Sequence, residues 1–337
     1  MMLVSISASS EMMITMEVLI YPVLSVMFTL LLYTLFGRRD ESIRNVNHNL
    51  NINIDKCASE HCVRCKKYKS VRKNASNRYK SDIALRTAVT NSGDRMTHAI
   101  STLQEDMTYQ TDDRQQPNIL YVPGLQATPL WSEDDFVSDI TILESETGDI
   151  VDEFENAYNN LWPNGWLVNA TPSGEWAVFH LISQGSFVKA NCEKCPKTCK
   201  VLNKLISAMS TSLNLFANAS FSVVQSGTHI SAHYGPTNVR IRCHLGLKVP
   251  DSELSYMTVD GERCSWKMGK CLLFDDSFLH EVHHEDENGE ARGVLLIDMW
   301  HPEMTEAEKD LVINLFKLKK PKPPSVPPIP LPITTEL

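Results

Sequence analysis

Alternating apolar and polar residues dominate the last part of this chain. From residue 219 to residue 300 the apolar positions recur with a period of two, as in SVVQ, NVRIRCHLGL and RGVLLIDMW. Such alternation is typical of strands that bury one face. Because alternate side chains of a closed sheet point inward, residues far apart in sequence can converge inside a barrel. The pattern therefore predicts a mainly β domain here.

Helical periodicity appears at two places before these strands. Apolar residues recur at helical spacing between residues 136 and 158, which predicts a helix with one face on the core. A second amphipathic helix is predicted over residues 201–213. Between the two, residues 176–182 alternate like a strand, with Trp176 and His180 on the same face. The β domain is therefore expected to carry flanking helices.

An uncharged stretch, VLIYPVLSVMFTLLLYTLFG, occupies residues 18–37. This length is sufficient to cross the hydrocarbon core of a bilayer. Glu11 and Glu17 precede it, where a secretory signal peptide would carry a basic region. We therefore predict an uncleaved transmembrane signal-anchor, in preference to a cleaved signal peptide or a buried helix.

The sequence signals for membrane orientation conflict. Three arginines follow the predicted span: Arg38, Arg39 and Arg44. By the positive-inside rule they place the main domain in the cytosol. Three N-x-Ser/Thr sequons, which would mark a lumenal glycoprotein, are headed by Asn74, Asn169 and Asn218. These residues alone leave the orientation open.

The predicted organisation has five parts. They are an N-terminal segment (residues 1–17), the anchor (18–37), a polar, cysteine-containing stalk or linker (38–116), a folded domain (117–317) and a proline-rich tail (318–337). Two cysteine clusters are present, Cys57, Cys62 and Cys65 in the stalk and Cys192, Cys195 and Cys199 in the domain. A structural role, as disulfides or zinc ligands, is favoured over a redox role because neither cluster heads a βαβ pattern.

Composition narrows the class of partner. The chain has 337 residues, of which 42% are hydrophobic, enough for one large domain with flanking segments. Its formal net charge is −9, and no basic stripe interleaves with aromatic residues. A nucleic-acid partner is therefore not expected.

Two histidines in the alternating region carry candidate metal chemistry. His233 lies in A-H-Y-G at the end of a predicted strand, and His280 lies in F-D-D-S-F-L-H-E-V. Jelly-roll iron oxygenases commonly bind the metal through a His-x-Asp/Glu pair and a second histidine on a later strand. Gly235 occupies the carboxylate position here, so the site has two imidazoles. Asp275 or Asp276 remains an alternative carboxylate ligand, although a turn-capping role fits both better.

Basic residues of two strands form a candidate anion site. Arg292 begins an apolar strand, and a buried guanidinium requires an anion, for which a carboxylate has the matching geometry. A surface salt bridge to Glu290 is the competing interpretation. Arg240, Arg242 and His244 alternate on one strand and so share a face. Such a face suits a lining that binds carboxylates.

These residues lie within motifs that resemble a known family. The motifs are GTH, HYGPTNVRIRCHLGL, FDDSFLHEV and DMWHP, with YVPGL, GEW and CPKTC in the wider match over about residues 117–315. They resemble the aspartyl/asparaginyl β-hydroxylases. Within that family the chain is most similar to the short, single-pass aspartate β-hydroxylase domain-containing proteins, which share the uncharged N-terminal span, the C-x4-C-x2-C cluster and TPSGEW.

The resemblance implies a fold, a reaction and a set of site residues. The fold would be a double-stranded β-helix (a jelly roll, cupin-like), and the reaction that of an Fe(II)- and 2-oxoglutarate-dependent dioxygenase. His233 and His280 would bind the metal, and Arg292 would hold the far carboxylate of 2-oxoglutarate. The other residues that would bind this co-substrate are Trp176, Ser222, Arg242, Cys243 through its backbone, and His244.

The resemblance also implies a substrate and a compartment. The full-length hydroxylase of the family acts on Asp or Asn in EGF-like domains in the endoplasmic reticulum lumen, so a protein substrate and a lumenal catalytic domain are expected. Two other functions remain open. One is a catalytically silent β-helix that serves as a membrane-tethered interaction module, and the other is a zinc-dependent structural domain built on the cysteine clusters.

Overall fold

The computed structural model describes residues 63–104, 114–169, 171–209, 214–250 and 253–317. The predicted membrane anchor, the proline-rich tail, Cys57 and Cys62 lie outside these ranges. Among the helices within the ranges, none combines the length and the apolar character that crossing a membrane requires.

Strands make up most of the described domain. They are Trp166–Asn169 (β1), Trp176–Ser183 (β2), Ser186–Phe187 (β3), Ala219–Val224 (β4), Thr228–His233 (β5), Arg240–Lys248 (β6), Tyr256–Val259 (β7), Glu262–Cys264 (β8), Cys271–Phe274 (β9), His280–His284 (β10) and Arg292–Trp300 (β11). A seven-stranded sheet has the order β1-β2-β4-β11-β6-β9, with β3 paired to β2, and a four-stranded sheet has the order β5-β10-β7-β8. All of these pairings are antiparallel.

The chain from β4 to β11 passes back and forth between the two sheets. β4, β6, β9 and β11 lie in the large sheet, whereas β5, β7, β8 and β10 lie in the small one. Eight antiparallel strands divided in this way have the order of a jelly roll. The mainly β fold predicted from the sequence, and the jelly roll that the resemblance implies, are therefore confirmed for the described residues.

The helices of the described ranges are numbered in chain order. They are Val63–Ser81 (α1), Ile83–Asn91 (α2), Asp94–Gln104 (α3), Val137–Ser145 (α4), Thr147–Asn160 (α5), Lys189–Cys192 (α6), Pro196–Leu202 (α7) and Glu306–Phe316 (α8). The helical pattern over residues 136–158 corresponds to α4 and α5. Their apolar residues, such as Leu143 and Phe154, are buried against the large sheet in the main hydrophobic core.

The two faces of the large sheet differ in character because side chains alternate along each strand. On β11, Leu295 and Ile297 belong to the core shared with α4 and α5. Val294, on the opposite face, packs in a separate cluster with Met257 and Val282 from the small sheet. Arg292, on the same face as Val294, therefore points into the space between the two sheets.

The amphipathic helix predicted over residues 201–213 is wrong in extent. Helix α7 ends at Leu202. The carboxylate of Asp139 accepts the backbone N–H groups of Ile206 (2.9 Å) and Ser207 (2.8 Å), which fixes a non-helical backbone there. The apolar residues that predicted a helix instead lie in an irregular segment, because a carboxylate from α4 accepts backbone N–H groups that a helix would bond internally.

Part of the polar stretch predicted to be a linker is helical. Helices α1, α2, α3 and α8 bury apolar residues in a second hydrophobic core, among them Val89, Met96 and Leu311. Arg95 also donates two hydrogen bonds to the carboxylate of Glu308 at the start of α8. Residues 63–104, which the sequence assigns to a polar stalk or linker, are therefore helical and partly buried, and their apolar positions are too sparse to form an obvious stripe.

Candidate metal and carboxylate site

The two candidate histidines are neighbours across the small sheet. His233 ends β5 and His280 begins β10, and the two residues are direct partners in the pairing of these strands. Their ring centroids are 4.1 Å apart, with an angle of 50° between the ring planes. The convergence predicted from strand alternation is therefore present.

Backbone contacts orient both imidazole rings in the same way. Nδ1 of His233 lies 2.8 Å from the carbonyl oxygen of Ser231, and Nδ1 of His280 lies 3.0 Å from that of Phe278. A carbonyl only accepts, so each Nδ1 carries the proton and each neutral ring has its lone pair on Nε2. Burial lowers the pKa of His280, although Asp276 opposes this effect, and the ring is therefore neutral near pH 7. Both rings are thus prepared to act as Nε2 metal ligands.

Packing accounts for the glycine at the usual carboxylate position. A Cβ added to Gly235 would overlap the Asp276 carboxylate. The neighbouring Asp275 accepts hydrogen bonds from Gln115 (2.7 Å) and from the backbone of Ser277 (2.8 Å), and burial raises its pKa to about 7. Within the described ranges, no Asp, Glu or Cys forms a three-ligand group with the histidine pair.

Arg292 is a buried cation on the inner face of the large sheet. Only 2% of its surface is exposed, and among the described residues neither Nε nor Nη1 has a hydrogen-bond partner. The guanidinium lies over the Trp266 ring, 4.0 Å from its centroid, and burial lowers its pKa to about 9. Glu290 pairs with Lys248 at 3.2 Å, so the predicted alternative of a surface bridge between Glu290 and Arg292 is wrong. A buried guanidinium with unused donors is a site for an anion.

His244 presents a second unused donor beside this cation. Trp266 Nε1 donates to His244 Nδ1 at 3.1 Å, so the His244 proton is on Nε2. That Nε2 atom is buried and has no hydrogen-bond partner in the described part of the chain. Burial, reinforced by Arg292 and Arg242, lowers the pKa of His244 well below its usual value and keeps the ring neutral.

A continuous series of side chains joins the guanidinium to the histidine pair. Trp266 contacts Arg292 and lies 6.3 Å from the His244 ring, centroid to centroid. His244 lies 5.0 Å from Phe274, and Phe274 lies 5.9 Å from His280. The candidate metal ligands and the candidate carboxylate anchor therefore line one region between the sheets.

Ser222 and Trp176 lie on the same face of the large sheet. Ser222 is paired with Val294 in the β4–β11 ladder, and Trp176 is paired with Val224 in the β2–β4 ladder. Trp176 Nε1 donates to Ser222 Oγ at 3.0 Å. The structure brings both predicted residues to the inner face, where the Ser222 hydroxyl retains its own proton for donation.

Arg242 has internal anions as partners. Together with Arg240 it contacts the carboxylates of Asp276 and Asp298, and all four side chains lie between the sheets. Burial would raise the pKa of Asp276, but the two arginines outweigh it and hold this pKa far below its usual range. Arg242 shares the inner face as predicted, and its charge is balanced within this cluster.

The Cys243 thiol points to the opposite face of the sheet. It belongs to the core beneath the helices, while the backbone of Cys243 pairs with Ile297 and Leu273 on either side. A role for the Cys243 backbone in co-substrate binding remains a prediction. Six cysteines whose side chains the structure describes are free thiols, and none of these six belongs to a three-ligand metal group within the described ranges: Cys192, Cys195, Cys199, Cys243, Cys264 and Cys271.

Sequence analysis missed two residues that shape the site. Trp266 stands alone between β8 and β9, in a segment without regular secondary structure, and Asp298 looks like an ordinary polar position within β11. Only the strand pairing, which sets Asp298 opposite Arg242, would have indicated its role. His284, which sequence analysis does not single out, is a buried residue of β10 that is hydrogen-bonded to Ser255 and to the Glu290 carbonyl.

One predicted glycosylation site conflicts with the fold. Asn218 Nδ2, the atom to which a glycan would be attached, donates to Asp298 at 2.9 Å. The backbone N–H of Asn218 donates to the same carboxylate at 3.1 Å. Glycosylation at this sequon would break the first of these bonds.

Comparison with known proteins finds relatives of the part of the chain that contains this site. Residues 144–302 match the aspartyl/asparaginyl β-hydroxylase family. The human aspartate β-hydroxylase domain-containing protein 2 is 45% identical over 208 residues, which cover 60% of this chain and 55% of the relative. The mouse aspartyl/asparaginyl β-hydroxylase is 32% identical over 207 residues, which cover 58% of this chain and 26% of the relative.

The match covers only part of each protein. The chain spans a little over half of the length of the first of these relatives. Among solved structures, HygX from Streptomyces hygroscopicus with nickel and 2-oxoglutarate bound is 10% identical with a TM-score of 0.33, over 48% of this chain and 81% of that chain. A structural likeness of that size supports no argument, so the assignment depends on the sequence match. Residues 144–302 of this chain are therefore similar to the aspartyl/asparaginyl β-hydroxylase family.

Proposed function

We propose that this protein is an Fe(II)- and 2-oxoglutarate-dependent dioxygenase that hydroxylates Asp or Asn residues of a protein substrate. The observation that carries the proposal is the buried Arg292, whose Nε and Nη1 lack partners among the described residues, in the same inner region as the paired imidazoles. The match of residues 144–302 to the aspartyl/asparaginyl β-hydroxylase family supports the same reaction class.

His233 and His280 would hold the iron. Their Nε2 atoms are directed by the backbone contacts at Nδ1, and the burial of His280 keeps it neutral, as a metal ligand must be. Two protein ligands leave more coordination positions for a chelating co-substrate and for oxygen than a three-ligand set would. The carboxylates of Asp275 and Asp276 are engaged elsewhere and would not complete the set.

Arg292 would hold the far carboxylate of 2-oxoglutarate. Its planar fork matches a carboxylate, and a bound carboxylate would supply the anion that the buried guanidinium lacks. His244 Nε2 is a further donor on the same face, and the Ser222 hydroxyl is another. These groups fit a small dianion with one end at the metal and the other at the guanidinium.

When bound, Fe(II) and 2-oxoglutarate supply the oxidation: 2-oxoglutarate becomes succinate and carbon dioxide, while one atom of O2 enters succinate and the other a C–H bond of the substrate. The protein's own residues bind, orient and exclude water. Trp266 and Phe274 form apolar walls between the two sheets, and Trp266 is only 4% exposed. A dry wall beside the guanidinium strengthens its attraction for a carboxylate.

The substrate and compartment are also proposals. The name of the mouse relative supports Asp or Asn as the modified residue, and EGF-like domains are the first protein substrates to test. We place the catalytic domain in the endoplasmic reticulum lumen, anchored by residues 18–37, on the strength of the uncharged stretch and the family resemblance. Protection of the domain from added protease in intact microsomes is expected, and its digestion would contradict a lumenal location.

Succinate release tests the activity. Purified full-length protein with Fe(II), 2-oxoglutarate and a panel of EGF-like peptides is expected to form succinate and a peptide heavier by one oxygen atom. His280→Ala is expected to abolish both products, whereas His98→Ala, which changes an exposed histidine of α3, should leave both unchanged. A wild-type protein that binds metal and 2-oxoglutarate but never forms succinate would instead support the silent interaction module.

A further inference from the structure

A second cluster of metal-binding side chains lies on the outer face of the small sheet. On β10, Glu281 and His283 alternate with His280 and Val282 and therefore point to the outer face. On β5, a register shift between the His233–His280 and Ile230–Val282 pairs places His229 on that outer face, although it lies four residues from the inward-facing His233. His229 and His283 are direct partners across the two strands. Glu281, two residues before His283, shares their face.

The spacing of the three side chains matches the coordination geometry of zinc. One atom from each lies within 4.8 Å of the other two. Glu281 Oε2 is 3.4 Å from His229 Nε2 and 3.5 Å from His283 Nε2. Bonds of ~2.0–2.1 Å at tetrahedral angles separate neighbouring ligand atoms by ~3.3 Å. The ligand atoms are therefore close enough to share a cation, and rotation of the two imidazole rings, which are stacked with centroids 4.2 Å apart, would direct their lone pairs to it.

Neighbouring residues on the same outer face hold the ligands in position. Thr258 Oγ1 donates to Glu281 Oε1 at 3.3 Å, which leaves Oε2 directed toward the two histidines. The Tyr256 ring stacks on His283 with a centroid distance of 5.0 Å and an interplanar angle of 17°. Both residues belong to β7, which pairs with β10. Such outer contacts orient metal ligands and raise their affinity.

We propose that His229, Glu281 and His283 form a binding site for a divalent first-row transition metal of the Zn²⁺ class. Two imidazoles and one carboxylate suit this class of ion. The side chains are 37%, 32% and 33% exposed, so the ion has access from solvent and a fourth position open to water or to a partner's ligand. The site is separate from the histidine pair between the sheets and does not depend on the proposed oxygenase activity.

Zinc binding by the full-length chain tests this site. Protein stripped of metal and fully reduced is titrated with Zn²⁺ alone, in competition with a chromophoric chelator. The chain holds other possible zinc ligands, so the informative quantity is the difference between wild type and variants. His229→Ala and His283→Ala should each lose one zinc equivalent, or bind it at least about tenfold more weakly, since losing even an outer contact costs ~10–100-fold.

Two controls make the result specific. His98→Ala removes an exposed histidine elsewhere and should keep the wild-type number of zinc equivalents. His283→Gln, which keeps a polar side chain at this position, replaces His283→Ala if that variant unfolds at a lower temperature than wild type. Equal zinc stoichiometry and affinity in wild type, His229→Ala and the folded His283 variant would overturn the proposal.

Discussion

The buried guanidinium of Arg292 should make the protein less stable when no carboxylate is bound. Burial lowers its pKa from 12.5 to about 9, and at ~1.4 kcal/mol per pKa unit this corresponds to a cost of about 5 kcal/mol. The contact with Trp266 offsets as much as ~2 kcal/mol of that cost. Because the pKa is lower in the folded state, the cost is complete below about pH 9 and disappears as the pH rises toward 12.5.

Arg292→Met replaces this cation with an apolar chain of comparable length. In the absence of 2-oxoglutarate, we expect the variant to be more stable than wild type at pH 7 by roughly 3 kcal/mol, within the ~1–4 kcal/mol found when buried charges are replaced by apolar residues. Urea unfolding followed by circular dichroism measures the difference. Addition of 2-oxoglutarate with Mn²⁺ should stabilise wild type and leave the variant unchanged, because the anchor has been removed.

Arg242→Met is the matched control. Arg242 already contacts Asp276 and Asp298, so its loss leaves two buried carboxylates short of a partner and should cost about 3–5 kcal/mol. The two substitutions remove the same group from the same sheet face and are expected to have opposite effects. If Arg292→Met destabilised the protein as much as Arg242→Met, or kept the stabilisation by 2-oxoglutarate, the assignment of Arg292 as an unpaired anchor would be refuted.

Three further substitutions or measurements test other parts of the structure. Gly235→Asp places a carboxylate at the position usual in iron oxygenases, but its Cβ would overlap Asp276. We therefore expect the free energy of unfolding in urea to fall by at least about 2 kcal/mol, with no gain in Mn²⁺ affinity. Tighter Mn²⁺ binding would contradict the packing argument. Asp298→Asn removes a charge that balances the buried Arg240 and Arg242 and should lower the free energy of unfolding by about 3–5 kcal/mol. A change below about 1 kcal/mol would show that Asp276 alone is enough to balance the two arginines. Mass spectrometry of protein secreted or retained in the endoplasmic reticulum should find no glycan on Asn218, whose Nδ2 is bonded to Asp298; a glycan there in folded protein would be inconsistent with this packing.

Sequence patterns predicted the site where the chemistry follows strand alternation. His233, His280, His244 and Arg292 each stand in strands whose apolar period of two is clear, so their common inner location could be inferred. The two histidines are direct partners because β5 and β10 are neighbours in the small sheet. The predicted barrel allowed such a meeting but did not specify which strands are neighbours. The resemblance, not the pattern, supplied the identities of the metal and the co-substrate.

The remaining features depend on contacts that periodicity does not encode. The cluster of Arg240, Arg242, Asp276 and Asp298 could be predicted only from the strand register that sets Asp298 opposite Arg242. The helix predicted over residues 201–213 failed because a distant carboxylate, Asp139, binds the backbone there. The helices within residues 63–104 were missed because they are mostly polar and bury only scattered apolar residues. The outer cluster of His229, Glu281 and His283 could not be predicted from periodicity, because it depends on the pairing of β5 with β10.

Calorimetric titration with 2-oxoglutarate, with and without Mn²⁺, tests the central claim that the histidine pair and Arg292 form one site. Mn²⁺ stands in for iron because it binds the same ligand types without consuming the co-substrate. We expect Mn²⁺ to strengthen 2-oxoglutarate binding by at least about tenfold, or ~1.4 kcal/mol, in wild type. His280→Ala should lose this enhancement and Arg292→Met should lose the binding itself. If 2-oxoglutarate binds wild type, His280→Ala and Arg292→Met equally, whether or not Mn²⁺ is present, the two groups do not share a ligand and the central claim is contradicted.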